Sequence, residues 1–222
     1  MQSPLELLRD EQVAFVMLVI SLALSLSLHE FAHAFVADLQ GDRLPRAMGR
    51  VTLNPVRHLD PLGTLLILLV GFGWAKPVEF RPSALRSQRF GAALVALAGP
   101  SMNLLLAVVC LVGLRLTSSD PFISEGIVFI DQEGLMGQIA IFWVFFSTIN
   151  ILLAVFNLIP LPPLDGSRLL TIFLPPNRQN IIYFLDKYGF FILLGLLLFG
   201  GFTFLEPVIL AVRRLIFDLV LT

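Results

Sequence analysis

The stretch SLSLHEFAHAFVADLQGD places His29, Glu30 and His33 inside a long apolar segment. On a helix, residues i and i+4 stand one above the other on a single face, so the imidazoles of His29 and His33 can converge on one metal ion. Glu30 lies beside them, near enough to take a proton from a water that the ion activates. Ionisable groups at membrane depth cost a few kcal/mol each or more, and they normally have a partner or a task. The pattern is HExxH, in which two histidines bind zinc and the glutamate acts as general base. The plain alternative is a polar seam in which the histidines only hydrogen-bond to neighbouring helices.

A zinc catalyst with two His ligands needs a third protein ligand and keeps a fourth position open. Cys110 is the only cysteine, which excludes an intrachain disulfide and any site built from several thiolates. The third ligand therefore comes from His, Asp or Glu. Asp165, in FNLIPLPPLDGSRLL, is the best candidate. Pro160, Pro162 and Pro163 prevent a regular helix there, and irregular backbone at membrane depth is tolerated only when buried in protein or lining a wet cavity. Asp165, next to Gly166, can be presented from a broken helix end, unless it merely caps the helix that begins near Ser167.

The elements that must position these residues are membrane helices. Of 222 residues 57% are apolar and 14% charged, against roughly 45–50% and about 25% in soluble chains. Fifteen Lys and Arg against sixteen Asp and Glu leave a net charge of −1, so no basic field exists to hold nucleic acid. Apolar runs cover Val13 to Ala37, Phe90 to Leu116, Gly137 to Ile159, Ile181 to Phe204 and Pro207 to Leu221. Each approaches the ~20 residues that cross the hydrocarbon layer, although Arg213 and Arg214 interrupt the last. The first run is too long, and the residues before it too acidic, for a cleaved signal. Leu62 to Ala75 is shorter and reads as a segment that dips in and returns.

Charge orients the chain. Arg43, Arg46, Arg50, Arg57, Lys76, Arg81, Arg86 and Arg89 flank the short run, whereas Thr117 to Met136 carries only Asp120, Glu125, Asp131 and Glu133 as charges. By the positive-inside rule the first region is cytoplasmic and the second outside. The expected architecture is an all-α polytopic membrane protein of five to six transmembrane helices, with a re-entrant segment and a short β-hairpin near the active site. It forms one domain over residues 1–222, with a catalytic core at about 12–175 and a helical hairpin at about 181–221. The expected location is the plasma membrane, with the active site toward the cytoplasm.

HEFAH in one span and NLIPLPPLDG at the end of a later one resemble the site-2 protease family of intramembrane zinc metalloproteases. GRVTLNPVRHLDPLGT with GWAKPV, and VALAGPSMN, are similar to its minimal bacterial and archaeal branch. The resemblance covers about residues 20 to 175. It implies one zinc held by His29, His33 and Asp165, Glu30 as general base, and membrane-embedded protein substrates. It also implies that Asn103 faces the zinc and donates to the developing oxyanion. Many family members carry a PDZ or CBS domain, and this chain has room for neither.

Further candidates are weaker. Asn157 and Pro160 either contact substrate or only shape the turn before Asp165. His58 and Asp60 either supply hydrogen bonds behind the metal ligands or form an interfacial turn. GRVTL, with Val51 and Leu53 alternating, is expected to form a strand whose free edge binds an unwound substrate, or else a structural plug. Two rival functions are a metal-ion transporter, which would show ligands at further depths, and a catalytically silent membrane adaptor.

Overall fold

The computed structural model describes residues 9, 12–70, 73–117, 122–124, 127–129, 134–173, 179–200, 203 and 205–221. The helices are α1 (Gln12–Leu39), α2 (Leu44–Ala47), α3 (Pro61–Val70), α4 (Gln88–Thr117), α5 (Gly134–Asn157), α6 (Gly166–Phe173), α7 (Gln179–Leu198) and α8 (Leu205–Leu221). Among the described residues α1, α4 and α5 are long and apolar enough to cross a membrane. At 1.5 Å per residue, the 28 residues of α1 reach about 42 Å, more than the ~30 Å hydrocarbon layer.

Helix α4 packs against both α1 and α5, which also touch each other. Its first half is lined by Gly91, Ala92, Val95, Ala96 and Gly99, all buried, and small residues of this kind let helix backbones approach closely. Ala37 of α1 packs there with Ala92, Val95 and Leu85. The second half of α4 supplies Ala107, Leu111 and Leu114 to an apolar core with Ala140, Ile151 and Val155 of α5 and Ile216, Phe217 and Leu221 of α8. Leu94, Leu105, Val109 and Leu116 of α4 point outward and are exposed. An apolar exterior is what a hydrocarbon solvent requires.

The arginines after α1 hold the loop together. Asp38 pairs with Arg43 at 3.0 Å and Arg46 at 2.7 Å. Asp42 is fully buried and accepts from the Arg81 guanidinium at 2.9 Å and from the Leu44 N–H at 3.0 Å. Burial alone would raise the Asp42 carboxyl, but the Arg81 N–H, the Leu44 N–H and the Arg81 guanidinium together hold it below its usual range.

The short apolar run begins and ends at one place. Asp60 caps α3, its Oδ1 accepting the Gly63 N–H at 2.8 Å and its carbonyl the Thr64 N–H at 2.8 Å. Leu59 then pairs with Ala75 in an antiparallel bridge, and the Lys76 N–H donates to the His58 carbonyl at 2.7 Å. Residues 71 and 72 lie outside the described residues.

The expected strand at Gly49–Leu53 is absent. Val51 and Thr52 form a bend between a positive-φ Gly49 and the 3-10 turn Pro55–Arg57. The cause is inward polar traction on both sides. His58 Nε2 donates to the Thr52 carbonyl at 2.8 Å, and the Arg50 guanidinium, nearly fully buried, donates to the Arg57, Lys76 and Pro77 carbonyls. Among the described residues the strand pair is β1 (Phe122–Ser124) with β2 (Ile127–Phe129), antiparallel with Phe122 opposite Phe129, in the connection between α4 and α5. Asp120, Glu125, Asp131 and Glu133 lie outside the described residues.

Candidate metal centre

One helical turn on α1 and one broken helix end after α5 create the site. His29 and His33 are buried on the α1 face that meets α4, and their Nε2 atoms lie 3.0 Å apart. Asp165 Oδ2 approaches them at 3.1 Å and 3.3 Å. Among the described residues these three form the one group of His, Cys, Asp or Glu able to share an ion.

Hydrogen bonds behind the rings decide what the three atoms offer. His33 Nδ1 donates to the Val95 carbonyl at 2.7 Å, because a carbonyl can only accept. His29 Nδ1 meets Asn103 Oδ1 at 2.5 Å. With both Nδ1 atoms carrying the proton, both Nε2 atoms present lone pairs. Asp165 Oδ2 is buried and has no hydrogen-bond partner. Two ring nitrogens and one carboxylate oxygen thus converge at one point, a donor set that would hold a cation. Two ligands at ~2.0–2.1 Å from a tetrahedral zinc stand about 3.3–3.4 Å apart, so the observed edges fit that ion with little adjustment.

Two glycines make the approach sterically allowed. A Cβ on Gly99 would lie 2.4 Å from His33 Nε2 and 2.6 Å from His29 Nε2. A Cβ on Gly166 would lie 2.3 Å from the Leu158 carbonyl oxygen, blocking the fold-back that delivers Asp165 from the proline-rich turn. Gly99→Ala is expected to displace one or both imidazoles and to lower zinc affinity by more than about 10-fold, since lost orientation of ligands by itself costs about 10–100-fold. Chelator competition on the purified variant, with a helical spectrum as folding control, measures this. Wild-type affinity would remove Gly99 from the site.

Glu30 is half-buried, and its Oε2 accepts the Val78 N–H at 3.0 Å. Val78 ends the returning limb of the short apolar segment, whose Lys76 and Pro77 carbonyls are gripped by Arg50. Arg50, legible in the sequence only as an orienting charge, thus holds the peptide that orients Glu30.

The remaining candidates separate. Asn103 is fully buried with its Oδ1 on the His29 ring and its Nδ2 donating to Asn150 Oδ1 at 2.7 Å, which differs from the expected aim at an oxyanion. Asn157 Nδ2 turns back to the Leu153 carbonyl of its own helix at 3.0 Å, and Pro160 is exposed. Val51 is half-buried and Leu53 is 63% exposed, both on irregular backbone. His58 is fully buried; burial and then the nearby Arg50 push its imidazole below the ordinary range, so it is neutral and acts in the loop. Sequence reasoning missed Gly99, Val78 and Asn150. Asn150 carried a signal, being a polar residue in an apolar span.

The model of the family described as "Peptidase family M50" matches residues 17–198. The chain is 40% identical over 179 residues to "Putative zinc metalloprotease YwhC" of Bacillus subtilis, covering 81% of this chain and 78% of that one. It is 32% identical over 192 residues to "Putative zinc metalloprotease Rip2" of Mycolicibacterium smegmatis, covering 83% of this chain and 67% of that one. The corresponding protein of Mycobacterium tuberculosis is 33% identical over 194 residues, with the same two coverages, 83% and 67%. No solved structure matches. The matched span contains His29, Glu30, His33 and Asp165 together, and the chain belongs to peptidase family M50, the site-2 protease family.

Proposed function

We propose that this protein is an intramembrane zinc metalloprotease that hydrolyses peptide bonds within or near transmembrane segments of other membrane proteins, using one zinc per chain. The observation that carries the reading is the buried triangle of His29, His33 and Asp165 donor atoms with Glu30 beside it. Zinc bound there supplies Lewis acidity toward water and the scissile carbonyl. Glu30, held by the Val78 N–H, accepts the water proton and passes it to the leaving amine. His29 and His33 keep their rings oriented through Asn103 and Val95. A metal-ion transporter would need ligands at further depths, and among the described residues no second group of this kind is found.

Substrate helices hide their carbonyls in i to i−4 bonds, so local unwinding must precede hydrolysis, and each backbone group freed in hydrocarbon needs a partner. Exposed Leu53 and Pro160, with half-buried Val51 and Asn157, are the proposed contacts for the unwound segment. They act as a surface, since no strand edge exists at Gly49–Leu53. Purified protein is expected to cut single-span substrates containing Gly, Pro or Asn near the scissile bond, to cut Leu-rich versions far more slowly, and to stop on addition of a chelator. Equal cleavage of both substrate types would refute the unwinding step; chelator-insensitive cleavage would refute the zinc mechanism.

The proposed topology puts five spans, α1, α4, α5, α7 and α8, across the plasma membrane. Leu62 to Ala75 enters and leaves on the cytoplasmic side, supported by the Leu59–Ala75 bridge. Single cysteines at Ser87 and Ser119 in a Cys110→Ala background are expected to react from opposite faces, Ser119 from outside, as the positive-inside rule requires. Labelling of both from one face would overturn this topology.

A further inference from the structure

Behind His29 runs a closed chain of buried side chains that leaves α1, crosses α4 and α5, and returns to α1. His29 Nδ1 meets Asn103 Oδ1 at 2.5 Å, Asn103 Nδ2 donates to Asn150 Oδ1 at 2.7 Å, and Asn150 Nδ2 donates both to Ser25 Oγ and to the Phe146 carbonyl, each at 2.8 Å. Asn103, Asn150 and Ser25 are 0% exposed, so bulk water does not reach these groups. An amide can in principle be turned either way round, and Ser25 can donate or accept. The Phe146 carbonyl cannot donate. It therefore compels Asn150 to point its NH₂ at Phe146 and Ser25, which leaves only the Oδ1 acceptor for Asn103. Asn103 must then turn its own NH₂ to Asn150 and its Oδ1 to His29, and His29 must carry its proton on Nδ1.

We infer that Asn150 is a positioning residue for the metal centre: anchored on the Phe146 carbonyl, it fixes the direction of the Asn103 amide and thereby the His29 tautomer that leaves Nε2 free for the ion. The inference rests on His29 being a metal ligand, as proposed above. It also explains why an amide side chain is buried within the largely apolar α5, where an unsatisfied amide would cost several kcal/mol. Removing the anchor frees the Asn103 amide to turn its NH₂ toward His29, which pulls the proton to Nε2 and blocks the ligand atom.

The test is zinc affinity of purified full-length protein by chelator competition, with helical content and thermal unfolding recorded for each variant and ¹⁵N spectra of histidine-labelled, metal-free protein reporting the tautomer. Asn150→Leu is expected to lower zinc affinity by about 10–100-fold, the range seen when partners behind a metal ligand are lost, and to mix the His29 tautomers. Asn103→Leu should do the same, and the double Leu variant should lose no more than the worse single one, because Asn150 acts through Asn103. Asn103→Asp in the Asn150→Leu background offers His29 oxygen on every turn and should recover affinity to within about 3-fold of wild type, as carboxylate–histidine–zinc groupings do. Ser25→Ala, which leaves the Phe146 anchor in place, should stay close to wild type. Losses that multiply in the double Leu variant, or a folded Asn150→Leu protein with wild-type affinity and a single Nδ1–H tautomer, would overturn the inference. A wild-type protein that binds no zinc would instead refute the proposed function.

Discussion

Glu30→Gln is expected to retain zinc and the helical fold while losing peptide-bond hydrolysis by at least about 10²–10⁴-fold, the share that positioned proton transfer normally supplies. The amide fills the same space and can still accept the Val78 N–H through its oxygen, so the limb from Ala75 to Val78 should remain in place. It cannot take up the water proton. The design separates chemistry from architecture, because Glu30 belongs to no apolar cluster and its observed contact is preserved. Cleavage of a single-span substrate and zinc content should be measured on the same preparation. A variant cutting at near wild-type rate would remove Glu30 from the mechanism, and one that lost its zinc would show that Glu30 supports the ligands instead.

Replacing either His29 or His33 with Ala is expected to lower zinc affinity by well over about 100-fold, more than the loss from disturbing a partner behind a ligand. Asp165→Asn should bind more weakly than wild type but better than either Ala variant, since the amide oxygen remains a neutral ligand. In the His29→Ala protein, His33 keeps its Val95 partner and its lone pair, yet one imidazole and one carboxylate leave half of a tetrahedral shell to water. Elemental analysis after equilibration at fixed free zinc reads the result. Full retention in the His29→Ala, His33→Ala double variant would place the metal elsewhere.

Much of this centre was legible in one dimension. The i, i+4 spacing of His29 and His33 is local helix geometry, and Glu30 between them is adjacent by covalent connection alone. Asp165 was legible because three prolines forbid a helix where the bilayer forbids most alternatives. An out-and-back course for Leu62 to Ala75 was the expectation from its length and flanking charge, and the Leu59–Ala75 bridge is compatible with it. The strand at Gly49–Leu53 failed because alternation of Val51 and Leu53 says nothing about Arg50 and Thr52, whose polar groups are drawn to Arg57, His58, Lys76 and Pro77 from farther along the chain. A two-residue alternation is a weak signal against that traction.

The candidate ligands and the chemistry they could offer were thus legible in the sequence, because spacing within one helical turn and the ban on unpaired backbone in lipid act locally. Only the tertiary structure decided which nitrogen of each histidine faces Asp165. That choice depends on the Val95 carbonyl, on the Asn103 amide and on Asn150 behind it, brought to α1 by packing of α4 and α5. It also depends on Gly99, whose missing Cβ leaves room for both rings at a helix contact that no spacing rule reveals. Donor and acceptor direction is a property of paired groups, and in this chain the pairs form only when three spans are pressed together.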